Sequence, residues 1–191
     1  MIVLTSAKSA AISKKEANRR NQLWPDVNPD ALWNRKKQDG YTTVPRNMGL
    51  IMTIIADLTK GKPASLTYFE LWCRAKDEMF ATLAHRESLA FHSGFTGQRA
   101  VRTWSERMES LQVLGFIDLK PGPFGALSYV LIWNPYHVIR RLWEKNTPGL
   151  TESKYNALID RSGEIGGDDW LGGDLPPLFV SEKKSKKRKG K

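Results

Sequence analysis

Residues 87–117 read ESLAFHSGFTGQRAVRTWSERMESLQVLGFI, and this stretch decides the fold. It opens in a short helical segment, residues 86–93, carrying Leu89, Ala90 and Phe91, and Gly94 follows as a turn residue that accepts positive φ at no steric cost. Beyond the turn Thr96 reads as an N-cap. From there Ala100, Val101, Trp104, Met108, Leu111 and Leu114 recur at helical spacing and form one apolar stripe, and Gly115 supplies a left-handed stop. At about 100° per residue the opposite face of this helix holds Gln98, Arg99, Arg102, Glu106 and Ser110, which places it in solvent.

Working outward, residues 116–119 read as a strand, 121–125 as a turn rich in Pro and Gly, and 127–133 as a second strand, which together make a hairpin. Asn134-Pro135 then supplies a cap followed by Pro at the first helical position, opening a helix with Val138, Ile139, Leu142 and Trp143 on its apolar side. On the other side of the stretch, Thr43 caps a helix with Pro45 near its start, along which Met48, Ile51, Met52, Ile55 and Leu58 recur. A second helix runs from Leu66 to about Lys76 with Thr67 as its cap. Residues 79–83 mix aromatic, β-branched and aliphatic side chains and read as a strand, with helix as the competing reading. The fold class is mainly α with a small β-hairpin, an α+β architecture.

Charge is spread unevenly over the 191 residues, whose formal net charge is +10. Residues 1–44 carry eight basic and four acidic side chains, and residues 151–180 two against six. Residues 181–191 hold seven basic side chains against Glu182 alone. Steady apolar periodicity occupies only the middle. The expected organisation is therefore a basic N-terminal arm over 1–41, partly helical or disordered, a folded domain over 42–147, and an acidic, Gly-rich flexible linker with a basic tail over 148–191.

A short helix, a glycine-bearing turn, a longer amphipathic helix ending in Leu-Gly-Phe-Ile and a hairpin resemble the winged helix-turn-helix superfamily, over roughly half the chain. The sequence also resembles small proteins of this type encoded by bacterial plasmids and integrated elements. The resemblance implies double-stranded DNA as partner, with the second helix of the pair in the major groove. Carried over, base reading falls on Gln98, Arg99 and Arg102, then on Thr103 and Glu106. The chemistry suits the role, since Arg pairs bidentately with guanine and Gln with adenine. Thr96 and the first helical amides are placed to hold a phosphate. Lys120, at the root of the wing, is expected near the DNA backbone, and because residues 121–125 hold no Arg the wing is expected to graze the backbone rather than read bases.

The expected function is a sequence-specific duplex-DNA binder, a transcriptional regulator or a replication or maintenance factor of a bacterial genome or mobile element, located in the cytoplasm with the nucleoid. The alternative is a protein–protein adaptor, with Trp170-Leu171 and residues 175–179 as a linear motif for a protein partner. Lys183, Lys184, Lys186, Lys187 and Arg188 in the tail add a salt-dependent increment of DNA affinity without sequence information. Two-fold pairing through the 135–145 helix is expected to double the site, the competing reading being that this helix packs back on its own chain.

Other classes find little support. His85, His92 and His137 share no ligand spacing and Cys73 is the sole cysteine, so neither a metal site nor a disulfide framework is expected. There is no phosphate-binding Gly-rich loop and no nucleophile elbow, so neither enzyme nor cofactor is expected. No apolar run approaches the roughly 20 residues that span a bilayer.

Overall fold

The computed structural model describes residues 6–179. Seven helices and three strands follow in order: α1 (Ser6–Leu23), α2 (Met48–Leu58), α3 (Ser65–Arg74), β1 (Phe80–Thr82), α4 (Arg86–His92), α5 (Ala100–Val113), β2 (Ile117–Gly122), β3 (Gly125–Ile132), α6 (Pro135–Glu144) and α7 (Glu152–Ile165). The architecture is α+β, mainly α with a small β element. Its antiparallel sheet has the order β1-β3-β2, with Ala81 facing Val130 and Val130 facing Leu119. Those three residues point into the core, because side chains alternate along a strand, and Phe80, Thr82 and Lys120 point out.

The core gathers Ile51, Ile54 and Ile55 of α2, Tyr68 and Leu71 of α3, Leu89 and Ala90 of α4, and Trp104, Met108 and Leu111 of α5, all at 1% exposure or less. The Trp104 stripe therefore faces inward. Asn134 caps α6 through its side-chain oxygen, which accepts from the Tyr136 amide at 3.0 Å. Residues 79–83 are a strand, shortened to β1.

Three helix starts differ from the sequence expectation. Thr43 does not cap α2, since its carbonyl is drawn to α3 by the Trp72 indole N–H at 2.9 Å, and the helix begins beyond a turn in which the Met48 amide donates to the Pro45 carbonyl. Thr67 lies inside α3 and is buried. The start of α3 is held instead by Thr59, whose hydroxyl accepts from the Ala64 amide at 3.1 Å and donates to the Ile55 carbonyl at 2.6 Å. Thr96 does not cap α5 either. Gly97 takes φ +80, which no helix accommodates, so α5 starts at Ala100 with Arg99 at its N-cap.

The largest correction concerns residues 148–179. Composition reads them as a flexible linker, yet Glu152–Ile165 is a helix and the segment after it packs down. Tyr155, Leu158 and Ser162 lie at helical spacing on one buried face, and Gly166 at φ +66 closes the helix. Trp170 is 4% exposed and stacks on Tyr136 at 5.5 Å. A buried polar network locks this unit to α2. The Ser162 hydroxyl accepts from Asn47 Nδ2 at 3.0 Å and from Trp170 Nε1 at 3.2 Å while donating to the Leu158 carbonyl at 2.7 Å. Arg140 of α6 adds hydrogen bonds to the carbonyls of Trp170 and Gly173. Hydrophobic burial governs the attachment. A buried Trp removes some 150–250 Å² from water, or about 4–6 kcal/mol before entropy, whereas a half-exposed ion pair such as Lys154–Asp57 contributes about 1 kcal/mol at most.

This packing covers one partner surface read from the sequence and part of another. The apolar side of α6 is no dimer face, because Val138, Ile139 and Leu142 are buried within the chain and Trp143 lies flat on Tyr155 at 4.5 Å. In the 170–179 segment Trp170 belongs to the core, whereas Leu178 and Phe179 stay exposed, Phe179 lying edge-on to Trp133 at 5.4 Å.

Candidate nucleic-acid interface

Helices α4 and α5 are joined by a turn in which Gly94 and Gly97 both have positive φ and the Phe95 amide closes back on the Ala90 carbonyl at 2.9 Å. Because Leu89 and Ala90 on one helix and Trp104, Met108 and Leu111 on the other are buried, the outward direction of α5 is fixed. On that side Thr96, Gln98 and Arg99 are exposed in the turn and Arg102 is exposed in the first turn of the helix, its side chain at 82%. The turn and the start of α5 thus bring these four side chains to one end. No side chain caps α5; the Ala100 amide donates to the Gly97 carbonyl at 3.1 Å, and the Val101 and Arg102 amides are left for a ligand.

Thr103 and Glu106 are half-buried rather than presented. Glu106 is the meeting point of three cations: Lys62 at 3.4 Å, Arg102 at 3.4 Å and Arg107 at 3.7 Å. Hydrogen bonding and charge from Lys62, and then from Arg102, hold its carboxyl below the usual carboxylate range. An ionised Glu106 with its cations around it is a bridge between α5 and the α2–α3 connection. Its hold on Arg102 is a long, exposed contact that an incoming phosphate or base edge can replace at little cost.

The hairpin is built tightly. The buried Ser128 hydroxyl accepts from the Phe124 amide at 2.9 Å and donates to the Gly125 carbonyl at 2.7 Å. A Cβ at Gly122 would overlap the Tyr129 ring, so the bulge between Lys120 and Gly122 has no room for a side chain. Lys120 is exposed near the tip and pairs with Asp118 at 3.4 Å. The tail lysines Lys183, Lys184, Lys186 and Lys187, with Arg188, lie outside the described residues.

Three basic residues here escape sequence reasoning. The Arg86 guanidinium, at the start of α4, donates to the Phe124 carbonyl and ties the hairpin tip to the helix pair. Arg107 has an almost buried side chain, 11% exposed, with its guanidinium 5.7 Å over the Phe95 ring. It props the turn from beneath, and at 3.7 Å from Glu106 it makes an ion pair too long for a hydrogen bond. Lys62 reaches α5 from 44 residues away. Phe95 sits in the turn and Arg107 about two turns into α5, a pairing that only the fold brings together.

Elsewhere on the surface Glu70, Arg74 and His92 cluster, with Arg74 Nε 2.6 Å from the Glu70 carboxylate. Nearby, burial and then the Glu70 charge push the Cys73 thiol up, which keeps it protonated and a poor nucleophile. Among the described residues no three His, Cys, Asp or Glu side chains converge as metal ligands, and no helix is long and apolar enough to cross a membrane.

Comparison with family models, with curated proteins and with solved structures finds no match to this chain.

Proposed function

We propose that the protein is a winged helix-turn-helix, sequence-specific binder of double-stranded DNA, acting in transcription control or in replication and maintenance. The order α3-β1-α4-α5-β2-β3 and a sheet with β3 in the middle support the fold assignment. A single observation carries the function. Gln98, Arg99 and Arg102 stand exposed together at the N-terminal end of α5, on the side opposite Trp104, Met108 and Leu111. That end enters the major groove in such pairs, where Arg reads guanine and Gln reads adenine. Thr96 and the uncapped amides take a backbone phosphate. Lys120 lies along the sugar–phosphate rail, and the Pro- and Gly-rich hairpin tip meets the backbone without reading bases.

Selection of bound duplexes from a random pool supplies the site on which to test this. Arg102→Ala is expected to weaken binding to that site by about 1–3 kcal/mol while random duplex is bound nearly as before, and Arg99→Ala to behave likewise. Equal losses on selected and random duplex would make both residues phosphate contacts and overturn the recognition assignment.

A further inference from the structure

The described side chains of helix α1 supply no packing that accounts for it. It runs 18 residues, yet no described side chain from Lys14 to Leu23 is buried. Helices in proteins gain most of their stability by packing an apolar face rather than from propensity. No i,i+4 ion pair supports it, for none of the salt bridges among the described residues involves α1. What it does have is a stripe. Lys14, Lys15, Asn18, Arg19 and Gln22 line one continuous face, within about 140° of arc, and all five are exposed. Glu16 falls outside that arc.

Three unpaired cations flanked by two amides, with no carboxylate among them, complement a row of phosphates. Lys and Arg neutralise the charge, while Asn and Gln hydrogen-bond phosphate or sugar oxygens. A lipid surface fits less well, since it needs an apolar face beside the basic one, and the large apolar residues of α1, Ile12 and Leu23, sit about three turns apart. We infer that α1 is a second DNA-contacting element, a backbone clamp whose helix is consolidated when phosphates neutralise the Lys14–Lys15–Arg19 face. The inference rests on the duplex-DNA reading given above. Residues 24–42, before the point where Trp72 holds Thr43, reach up to about 60 Å when extended, so α1 can engage duplex flanking the site held by α5. Tethering makes that second contact intramolecular.

The test uses the full chain, a triple variant Lys14→Gln, Lys15→Gln, Arg19→Gln, and the double variant Arg99→Ala, Arg102→Ala, on selected and random duplexes. Affinity is measured against salt, and amide hydrogen exchange is followed in residues 6–23. For the triple variant the slope of log affinity against log salt is expected to shrink by about two to three, at roughly 0.9 for each phosphate no longer neutralised, with the selected-to-random ratio unchanged. Exchange in residues 6–23 is expected to slow when duplex is added to the parent chain and to respond little in the triple variant. An unaltered slope, or exchange in α1 that ignores duplex, overturns the clamp even if the double variant loses its preference for the selected site. A triple variant that lowers the slope beside a double variant that keeps its preference leaves the clamp standing and removes the α5 reading. A parent chain that binds no duplex overturns both.

Discussion

The segment before the core, Ser6 to Tyr41, and the segment after it, Glu152 to Phe179, are both polar and charged, yet they meet the rest of the protein differently. In the first, Trp24, Trp33 and Tyr41 are 52–66% exposed, and the closest aromatic partnership is Trp33 against Tyr41 within the segment itself. In the second, Tyr155, Leu158 and Trp170 are exposed by 8% or less. Aromatic content does not separate them. The difference lies in placement: the C-terminal residues fall on one stripe of one helix and one tight turn beyond it, and a hydroxyl at Ser162 waits for the indole N–H that burial would otherwise strand. Trp24 and Trp33 share no stripe and find no such acceptor. A few apolar residues in register with a satisfied polar group attach a segment that average composition calls a linker.

The comparison is broken most decisively at Trp170. Trp170→Ala is expected to cost about 3–5 kcal/mol in urea denaturation and to open residues 150–179 to protease, because it leaves a cavity against Tyr136 and Tyr155. A loss below about 1 kcal/mol with unchanged proteolysis would mean that the C-terminal unit is as loosely held as the arm. Next in size, Ser162→Ala removes the shared acceptor of Asn47 and Trp170 and should cost about 1–3 kcal/mol by the same measurement, with the aromatic stack left in place. If Ser162→Ala is neutral, packing alone holds the segment. The smallest effect is expected at Trp33→Ala, within about 0.5 kcal/mol of the parent chain, as for surface positions in general. A clear loss of stability there would place the arm on the core and erase the contrast.

Local signals were legible where one residue decides one feature. Asn134-Pro135 announced α6, the Pro- and Gly-rich run at 121–125 announced the hairpin, and the stripe through Trp104 set the inner face of α5. Features that depend on two distant segments were not. Thr43 has the chemistry of a cap, but Trp72, 29 residues on, takes its carbonyl. Thr96 fails for a local reason instead, since the left-handed Gly97 directly after it prevents the capping geometry. The stripe of α7 was present in the spacing of Tyr155, Leu158 and Ser162, hidden beneath glycines and acids that dominate any window average. At the candidate interface helical phase picked out Arg102, whereas Gln98 and Arg99, which it put on the helix, are exposed in the turn before it. Lys62, Arg86 and Arg107 act through partners that only the fold brings near, namely Glu106, the Phe124 carbonyl and the Phe95 ring.

The bond from Arg86 to the Phe124 carbonyl closes a circuit. The chain leaves the start of α4, passes along α5 and β2, and returns 38 residues later to the guanidinium it began from. Four residues beyond Phe124 the Ser128 hydroxyl holds the tip, while the buried faces of α4 and α5 hold the helices. The fastening between hairpin tip and helix pair is a single surface hydrogen bond with a charged donor, worth about 1.5–3 kcal/mol. It sets the resting alignment of the hairpin tip with α4 and gives way under a larger load.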